Sequence, residues 1–81
     1  MQYKEITIHS EEGLKAKTAA LLVQMASKYE SQVLVECGNK KVNAKSIMGV
    51  LSLGIKQNEK VFIIANGKDE SEVVDEIEKI M

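Results

Sequence analysis

The pattern of apolar and polar positions changes its period along the chain, and each period predicts one element. Ile6 and Ile8 alternate with polar neighbours, which predicts a strand over residues 2–9. Residues 16–29 instead repeat apolar positions every three or four residues, as an amphipathic helix does. The stripe that would face the core of the protein consists of Ala19, Leu22, Ala26 and Tyr29.

The second half of the sequence predicts five further elements. They are strands over 32–37 and 40–43, a helix from Ser46 to about Leu53, a strand over 60–66 and a helix after Asp69. Gly38-Asn39 separates two of the strands and is typical of a tight hairpin with a mirror-image turn. Asp69, with Glu72 three positions later, predicts a capping box. The apolar stripe of the last helix consists of Val73, Val74, Ile77, Ile80 and Met81.

The element order is therefore strand, helix, strand, strand, helix, strand, helix. Each helix has one apolar face, and burying all three faces at once is simplest if the helices lie on one side of a single sheet. We expect an α+β fold in which three helices cover one face of a four-stranded antiparallel sheet. With 81 residues, the chain forms one domain, residues 1–81, without a second core.

Composition narrows the classes of function. The net charge of −1 does not favour binding to nucleic acid, which selects strongly basic faces. One histidine and one cysteine form neither a zinc ligand set nor an internal disulfide, so we expect no metal and no cofactor. No apolar run is long enough to span a membrane, and the first seven residues carry charges, so we expect a cytoplasmic protein. A chain this short leaves little material for a deep catalytic cleft, and we expect that it is not an enzyme.

The segment around Ser46 carries the most chemical information. A serine at the start of a helix ordinarily accepts a hydrogen bond from a backbone N–H two or three residues later. A phosphate on the same hydroxyl would meet free N–H groups and the positive end of the helix dipole. Ile47, Met48 and Leu51 follow on a helix too short to hide all three side chains. An apolar patch beside a serine that can be modified suits a protein contact controlled by phosphorylation.

Two stretches of the chain resemble HPr, the small phosphocarrier of the bacterial sugar phosphotransferase system. The first contains Gly13-Leu14, Ala16, Ala19, Leu22-Val23-Gln24 and Ala26-Ser27-Lys28-Tyr29, and the second contains Lys41-Val42-Asn43, Lys45-Ser46-Ile47-Met48-Gly49 and Ser52-Leu53-Gly54. The resemblance covers essentially the whole chain and implies the HPr open-faced sandwich, whose element order is the one predicted above.

The chain departs from HPr at the residues that carry phosphate. HPr proteins begin the first helix with Gly-Ile-His-Ala-Arg-Pro, whereas this chain has Lys15 for the histidine, Lys17 for the arginine and Thr18 for the proline. An imidazole with a pKa of about 6.5 is mostly neutral at pH 7.5. A lysine side chain has a pKa of about 10.4, so only about one in a thousand is neutral at this pH. In this respect the chain is similar to histidine-less HPr-like proteins such as catabolite repression HPr (Crh).

That similarity implies a regulatory protein of carbon catabolite control. A bifunctional HPr kinase/phosphorylase would phosphorylate Ser46, and the phosphorylated form would bind a LacI-type catabolite control repressor. The resemblance assigns this docking surface to Lys15, Lys17, Ala20, Val23, Gln24, Ile47, Met48 and Leu51. Lys15 and Lys17 would hold acidic groups of the partner or lean towards phosphoserine.

The alternative function remains within the sugar phosphotransferase system. There the protein would be a phosphocarrier, with phosphate on Lys15 or His9, or a competitor that binds enzyme I without reacting.

Cys37 faces inward in the alternation of its strand and is expected to be a buried thiol.

The open face of the predicted sheet suggests a further contact. If Val61 and Ile63 face the helices, Phe62 and Ile64 point to the other side, where Leu34 joins them. Three large apolar side chains in water favour a homodimer through this face or binding of another protein there.

Overall fold

In the computed structural model, which describes residues 1–81, seven elements follow one another in the predicted order. The strands are β1 (Gln2–Thr7), β2 (Gln32–Cys37), β3 (Lys40–Asn43) and β4 (Lys60–Asn66), and the helices are α1 (Ala16–Ser27), α2 (Ile47–Ser52) and α3 (Glu70–Ile80). The strands form one antiparallel sheet in the order β1-β4-β2-β3. The predicted α+β open-faced sandwich is confirmed.

Two elements end two residues earlier than predicted, because their ends change hydrogen-bonding partners. β1 ends at Thr7 rather than at residue 9, since the N–H of His9 leaves the sheet and donates to the Met81 carbonyl at 3.0 Å. α1 ends at Ser27, where the N–H groups of Lys28 and Tyr29 turn to carbonyls three residues back. Such tightening is common in the last turn of a helix.

The core lies between the sheet and the helical layer, in which α1 packs against both α2 and α3. The stripe residues Ala19, Leu22 and Ala26 of α1 are fully buried, as predicted. The largest fully buried apolar side chains are Ile8, Leu14, Leu22, Ile55, Ile63 and Ile77. The hairpin between β2 and β3 also follows the prediction, because Gly38 has φ of 63° at the first loop position, as a mirror-image turn requires.

The other face of the sheet has no helix over it. Phe62, Ile64 and Leu34 lie on this face as predicted, but the expectation that all three meet water is wrong for Ile64, which is only 7% exposed. The reason is Tyr3, which pairs with Ile64 in the register and stacks on Phe62, with ring centroids 4.8 Å apart. Its hydroxyl donates to Glu36 Oε1 at 2.9 Å, so Tyr3 crosses β4 and covers part of the apolar surface.

The predicted capping box at α3 is wrong. Asp69 occupies the N-cap position, but its carboxylate makes no cap hydrogen bond and is used elsewhere. It accepts hydrogen bonds from the N–H of Glu30 at 2.9 Å, from the N–H of Ser31 at 3.0 Å and from the Ser31 hydroxyl. Glu70, and not Glu72, closes the turn before α3 by accepting from the N–H of Gly67 at 3.1 Å. Asp69 therefore joins the α1–β2 loop to the start of α3.

This junction makes stability depend on pH at the acid end. The Ser31 hydroxyl, followed by the Glu30 N–H, lowers the pKa of Asp69 below its ordinary value because both donate to the charged carboxylate. A lowered folded-state pKa means that the contribution of Asp69 is fully present above the unfolded-state value of about 3.9. That contribution is lost as the pH falls through the folded-state pKa.

Replacing Ser31 with Ala should lower the free energy of unfolding at pH 7 by about 1–2 kcal/mol, because Ser31 is 1% exposed and its hydroxyl donates to the ionised Asp69. The loss should shrink as the pH falls below about 4, where Asp69 takes up a proton. Urea unfolding between pH 2.5 and 7 measures both effects, with the exposed Ser27→Ala in α1 as control. A loss that is the same at every pH contradicts the assigned partner.

Candidate functional site

Ser46 occupies the N-cap position of α2, as predicted. Its backbone is extended, with φ of −112° and ψ of 114°, and its hydroxyl oxygen accepts from the N–H of Gly49 at 3.2 Å. A Cβ on Gly49 would lie 3.4 Å from the Ser46 Oγ, so the small residue leaves room around the hydroxyl. The hydroxyl is half-buried and, as an acceptor, keeps its own proton available for transfer.

The turn before Ser46 is fixed by a lysine that the sequence analysis missed. The Asn43 side chain accepts from the N–H of Lys45 at 2.8 Å, and the Asn43 carbonyl accepts from the N–H of Ser46 at 3.0 Å. The Lys45 ammonium donates to the Tyr29 carbonyl at 2.8 Å, just beyond the end of α1. This contact ties the Ser46 turn to α1. The turn itself could be predicted, because an asparagine side chain often accepts from the backbone N–H two residues later. No pattern in the neighbouring sequence predicts the contact between Lys45 and Tyr29.

Four apolar side chains on α1 and α2 are exposed, and we call them the docking patch: Leu21, Ile47, Met48 and Leu51. Met48 is 75% exposed, and burial of α2 rests on Val50 instead. The short helix was predicted to leave at least one of Ile47, Met48 and Leu51 exposed, and the structure leaves all three exposed. Leu21 is 42% exposed and was missed. Its signal was present in the sequence, because it is apolar and lies off the stripe of α1 that faces the core.

The remaining residues assigned to docking differ in accessibility. Lys15, Lys17 and Gln24 are exposed, whereas Ala20 and Val23 are half-buried. Val23 also packs against the core, so it offers a partner only part of its side chain. All five belong to α1 or to its first turn, and α1 packs against α2, which carries Ser46.

Lys15 occupies the N-cap position of α1 and is exposed. Its side chain makes no cap hydrogen bond and no ion pair. It lines an open groove of about 540 Å³ together with Glu11, Glu12, Lys56 and Gln57, none of which is a hydrophobic residue. Ala16 follows with φ of 40°, a left-handed value that a residue with a Cβ adopts at an energetic cost. The start of α1 thus presents a free ammonium on a constrained backbone.

The other candidates have no second reactive group beside them. His9 is exposed two residues after the end of β1, and its carbonyl accepts from the Gln57 side chain at 3.3 Å. Cys37 is a free thiol and is half-buried against the core rather than fully buried as predicted. No group of three His, Cys, Asp or Glu side chains is placed to hold a metal ion. None of the helices combines the length and the apolar character needed to cross a membrane.

Comparison with solved structures finds HPr proteins along the whole chain. HPr-C-His from Thermoanaerobacter tengcongensis is 51% identical, with a TM-score of 0.93, over 95% of this chain and 86% of that one. The phosphocarrier HPr from Bacillus anthracis is 34% identical, with a TM-score of 0.96, over 99% and 95%. Crh of Bacillus subtilis, whose crystal structure shows a dimer with a swapped domain, is 40% identical, with a TM-score of 0.79, over 99% and 92%.

A family model gives the same assignment. The model for the phosphotransferase-system HPr component phosphorylation site matches residues 2–81. The match spans every element of the fold, including the start of α1 and the Ser46 turn. Both an HPr phosphocarrier and a Crh protein are more than 30% identical over nearly the full chain. The chain therefore belongs to the HPr family of the phosphotransferase system.

Proposed function

We propose that this protein is a regulatory member of the HPr family, switched by phosphorylation of Ser46 and acting in the cytoplasm by binding other proteins. One observation carries the proposal: an accessible serine begins a helix whose next residues expose Ile47, Met48 and Leu51. By family resemblance, Lys15 occupies the position of the carrier histidine. The protein is then a substrate and a ligand of other proteins and catalyses no reaction itself.

The charge around the docking patch supports a switch that works by adding negative charge. In the two stretches that carry α1 and α2, residues 13–29 contain three lysines and residues 44–58 contain two, and neither stretch contains an acid. A phosphate on Ser46 adds a charge of about −1.5 to −2 to this basic surface. Phosphorylation would therefore change the local potential strongly, and a partner with basic groups would bind the phosphorylated form more tightly.

By family resemblance, the modifying enzyme is an HPr kinase/phosphorylase and the partner is a LacI-type catabolite control repressor. The docking surface that we propose is centred on the docking patch, with polar contacts around it. Its residues are Lys15, Lys17, Ala20, Leu21, Val23, Gln24, Ile47, Met48 and Leu51. The apolar patch would supply contact area, and the lysines would pair with acidic side chains or with phosphoserine.

Incubation with HPr kinase/phosphorylase and ATP should place one phosphate on Ser46, and mass spectrometry of the peptide identifies the site. Ser46→Ala should remain unmodified, whereas Ser52→Ala, in the same helix, should be phosphorylated normally. The phosphorylated protein should bind the repressor at least tenfold more tightly than the unmodified protein, by titration calorimetry. Absence of phosphate on Ser46 in folded protein overturns the proposal.

A second candidate function, competition with the true phosphocarrier, follows from Lys15. The start of α1 keeps the HPr fold, yet it presents an exposed ammonium that forms no ion pair. A protein with this surface would bind enzyme I without accepting phosphate from it. Inhibition of phosphoryl transfer from enzyme I to an authentic HPr, with no label on this protein, supports competition, and acid-labile label on Lys15 or His9 supports a phosphocarrier instead.

A further inference from the structure

We propose that the open face of the sheet binds a second copy of this chain, face to face. This inference does not depend on phosphorylation of Ser46, because the helices carry Ser46 and the open face lies on the other side of the sheet. Tyr3, at 57% exposure, is the most exposed apolar side chain on this face. Phe62 and Leu34 are half-buried beside it. Together they form a continuous apolar strip across β1, β4 and β2.

The register places the side chains of this face in rows across the strands. One row contains Tyr3, Ile64, Leu34 and Asn43, and the next contains Glu5, Phe62, Glu36 and Lys41. The second row thus begins with a carboxylate on the β1 edge and ends with an ammonium on the β3 edge. Glu5 and Lys41 are both exposed, and neither forms an ion pair within the chain.

This order of charges is complementary to itself under one rotation. A two-fold axis parallel to the strands, between two stacked sheets, reverses the order of the strands and keeps the rows. It places Glu5 of one copy opposite Lys41 of the other twice over, Ile64 opposite Leu34, and Phe62 opposite Glu36. In this arrangement the Glu36 carboxylate still accepts the hydrogen bond from the Tyr3 hydroxyl of its own chain. Glu36 is also the cross-strand neighbour of Lys41 in its own sheet. The apolar strip is buried, and each edge charge gains an opposite charge.

The size of the face limits the strength of this contact. The molecule measures 31 × 21 × 21 Å, so its largest face covers about 650 Å². Stable interfaces bury about 800 Å² on each partner. The dimer should therefore be weak, with a Kd of roughly 10 μM to 1 mM, and should weaken further as salt screens the Glu5–Lys41 pairs.

Sedimentation equilibrium of the full chain, from about 10 μM to 1 mM at low ionic strength, tests the proposal. The wild type should shift from monomer to dimer over this range. Glu5→Lys and Lys41→Glu should each raise the Kd about tenfold, because each replaces two attractive pairs with two repulsive ones. The double variant Glu5→Lys/Lys41→Glu should return the Kd to within about twofold of the wild type.

Matched controls separate this geometry from a general effect of charge. Glu72→Lys and Lys28→Glu make the same changes of charge at exposed positions on the helical side, and should leave the Kd unchanged. A monomer at all concentrations overturns the proposal. So does a dimer that exchanges slowly with monomer and is indifferent to both charge reversals, which would point to exchange of β1 between copies.

Discussion

Replacing Lys15 with His should produce a protein that accepts phosphate from enzyme I, whereas the wild type should remain unlabelled. The attacking group must offer a free lone pair, and at pH 7.5 about nine-tenths of ordinary imidazoles do, against about one in a thousand ordinary lysine side chains. The gain in reactive species is therefore about a thousandfold. The exposed position of Lys15 at the start of α1 gives the new side chain access to a partner.

The measurement is transfer of labelled phosphate from phosphoenolpyruvate through enzyme I, with acid lability of the product as the sign of a phosphohistidine. Lys15→Gln removes the charge without adding a nucleophile and should stay unlabelled. Adding Lys17→Arg to Lys15→His should increase the rate, since a guanidinium can bind phosphate with two parallel hydrogen bonds. If the folded Lys15→His variant takes up no label, then Lys15 is not the reason why the wild type fails to accept phosphate from enzyme I.

The elements of the fold were predictable because their signals are local. The change from alternating to three-and-four spacing marks each strand and helix, and the glycine at position 38 fixes a two-residue turn. Ser46 was equally readable, since an N-cap serine needs only the N–H of Gly49 three residues later. In each case the interacting residues are neighbours in sequence.

Contacts between distant residues were not predictable from the same signals. Asp69 has the sequence context of a helix cap, yet its carboxylate binds the buried Ser31, 38 residues away, and accepts from the N–H of Glu30 beside it. Tyr3 reaches Glu36 across an intervening strand, which no spacing rule reports. Lys45 likewise finds the Tyr29 carbonyl only once the helices pack. These side chains depend on tertiary structure, and local propensity gives way to it.

The separation of the two proposed surfaces follows from the architecture. In a sheet covered by helices on one side only, the helical side buries the core, whereas apolar side chains on the open side are exposed to water. Tyr3 reduces the exposed apolar area of the open side, because it stacks on Phe62 and covers Ile64. Docking at the proposed surface on α1 and α2 would therefore leave the open face free, so the two proposed contacts would not exclude each other.

Replacing Gly13 with Ala should cost about 3 kcal/mol or more of unfolding free energy, because the new side chain is both strained and overlapped by backbone atoms. Gly13 has φ of 70°, which an alanine adopts only with strain. Its Cβ would overlap the Ile55 carbonyl oxygen and lie 2.8 Å from the Lys56 Cα, both of which are backbone atoms. The loop is not free to move away, because the N–H of the fully buried Leu14 donates to the same carbonyl at 3.0 Å.

Gly38→Ala is the matched control, because Gly38 has nearly the same backbone angle, φ of 63°, with no atom within 4 Å of the added Cβ. It should cost only about 1 kcal/mol, from backbone strain alone. Urea unfolding of both variants separates the steric overlap from the strain, and equal losses would show that the Gly13 loop relaxes. Since Gly13 lies two residues before Lys15, any residual folded Gly13→Ala protein should also present the start of α1 differently to a partner.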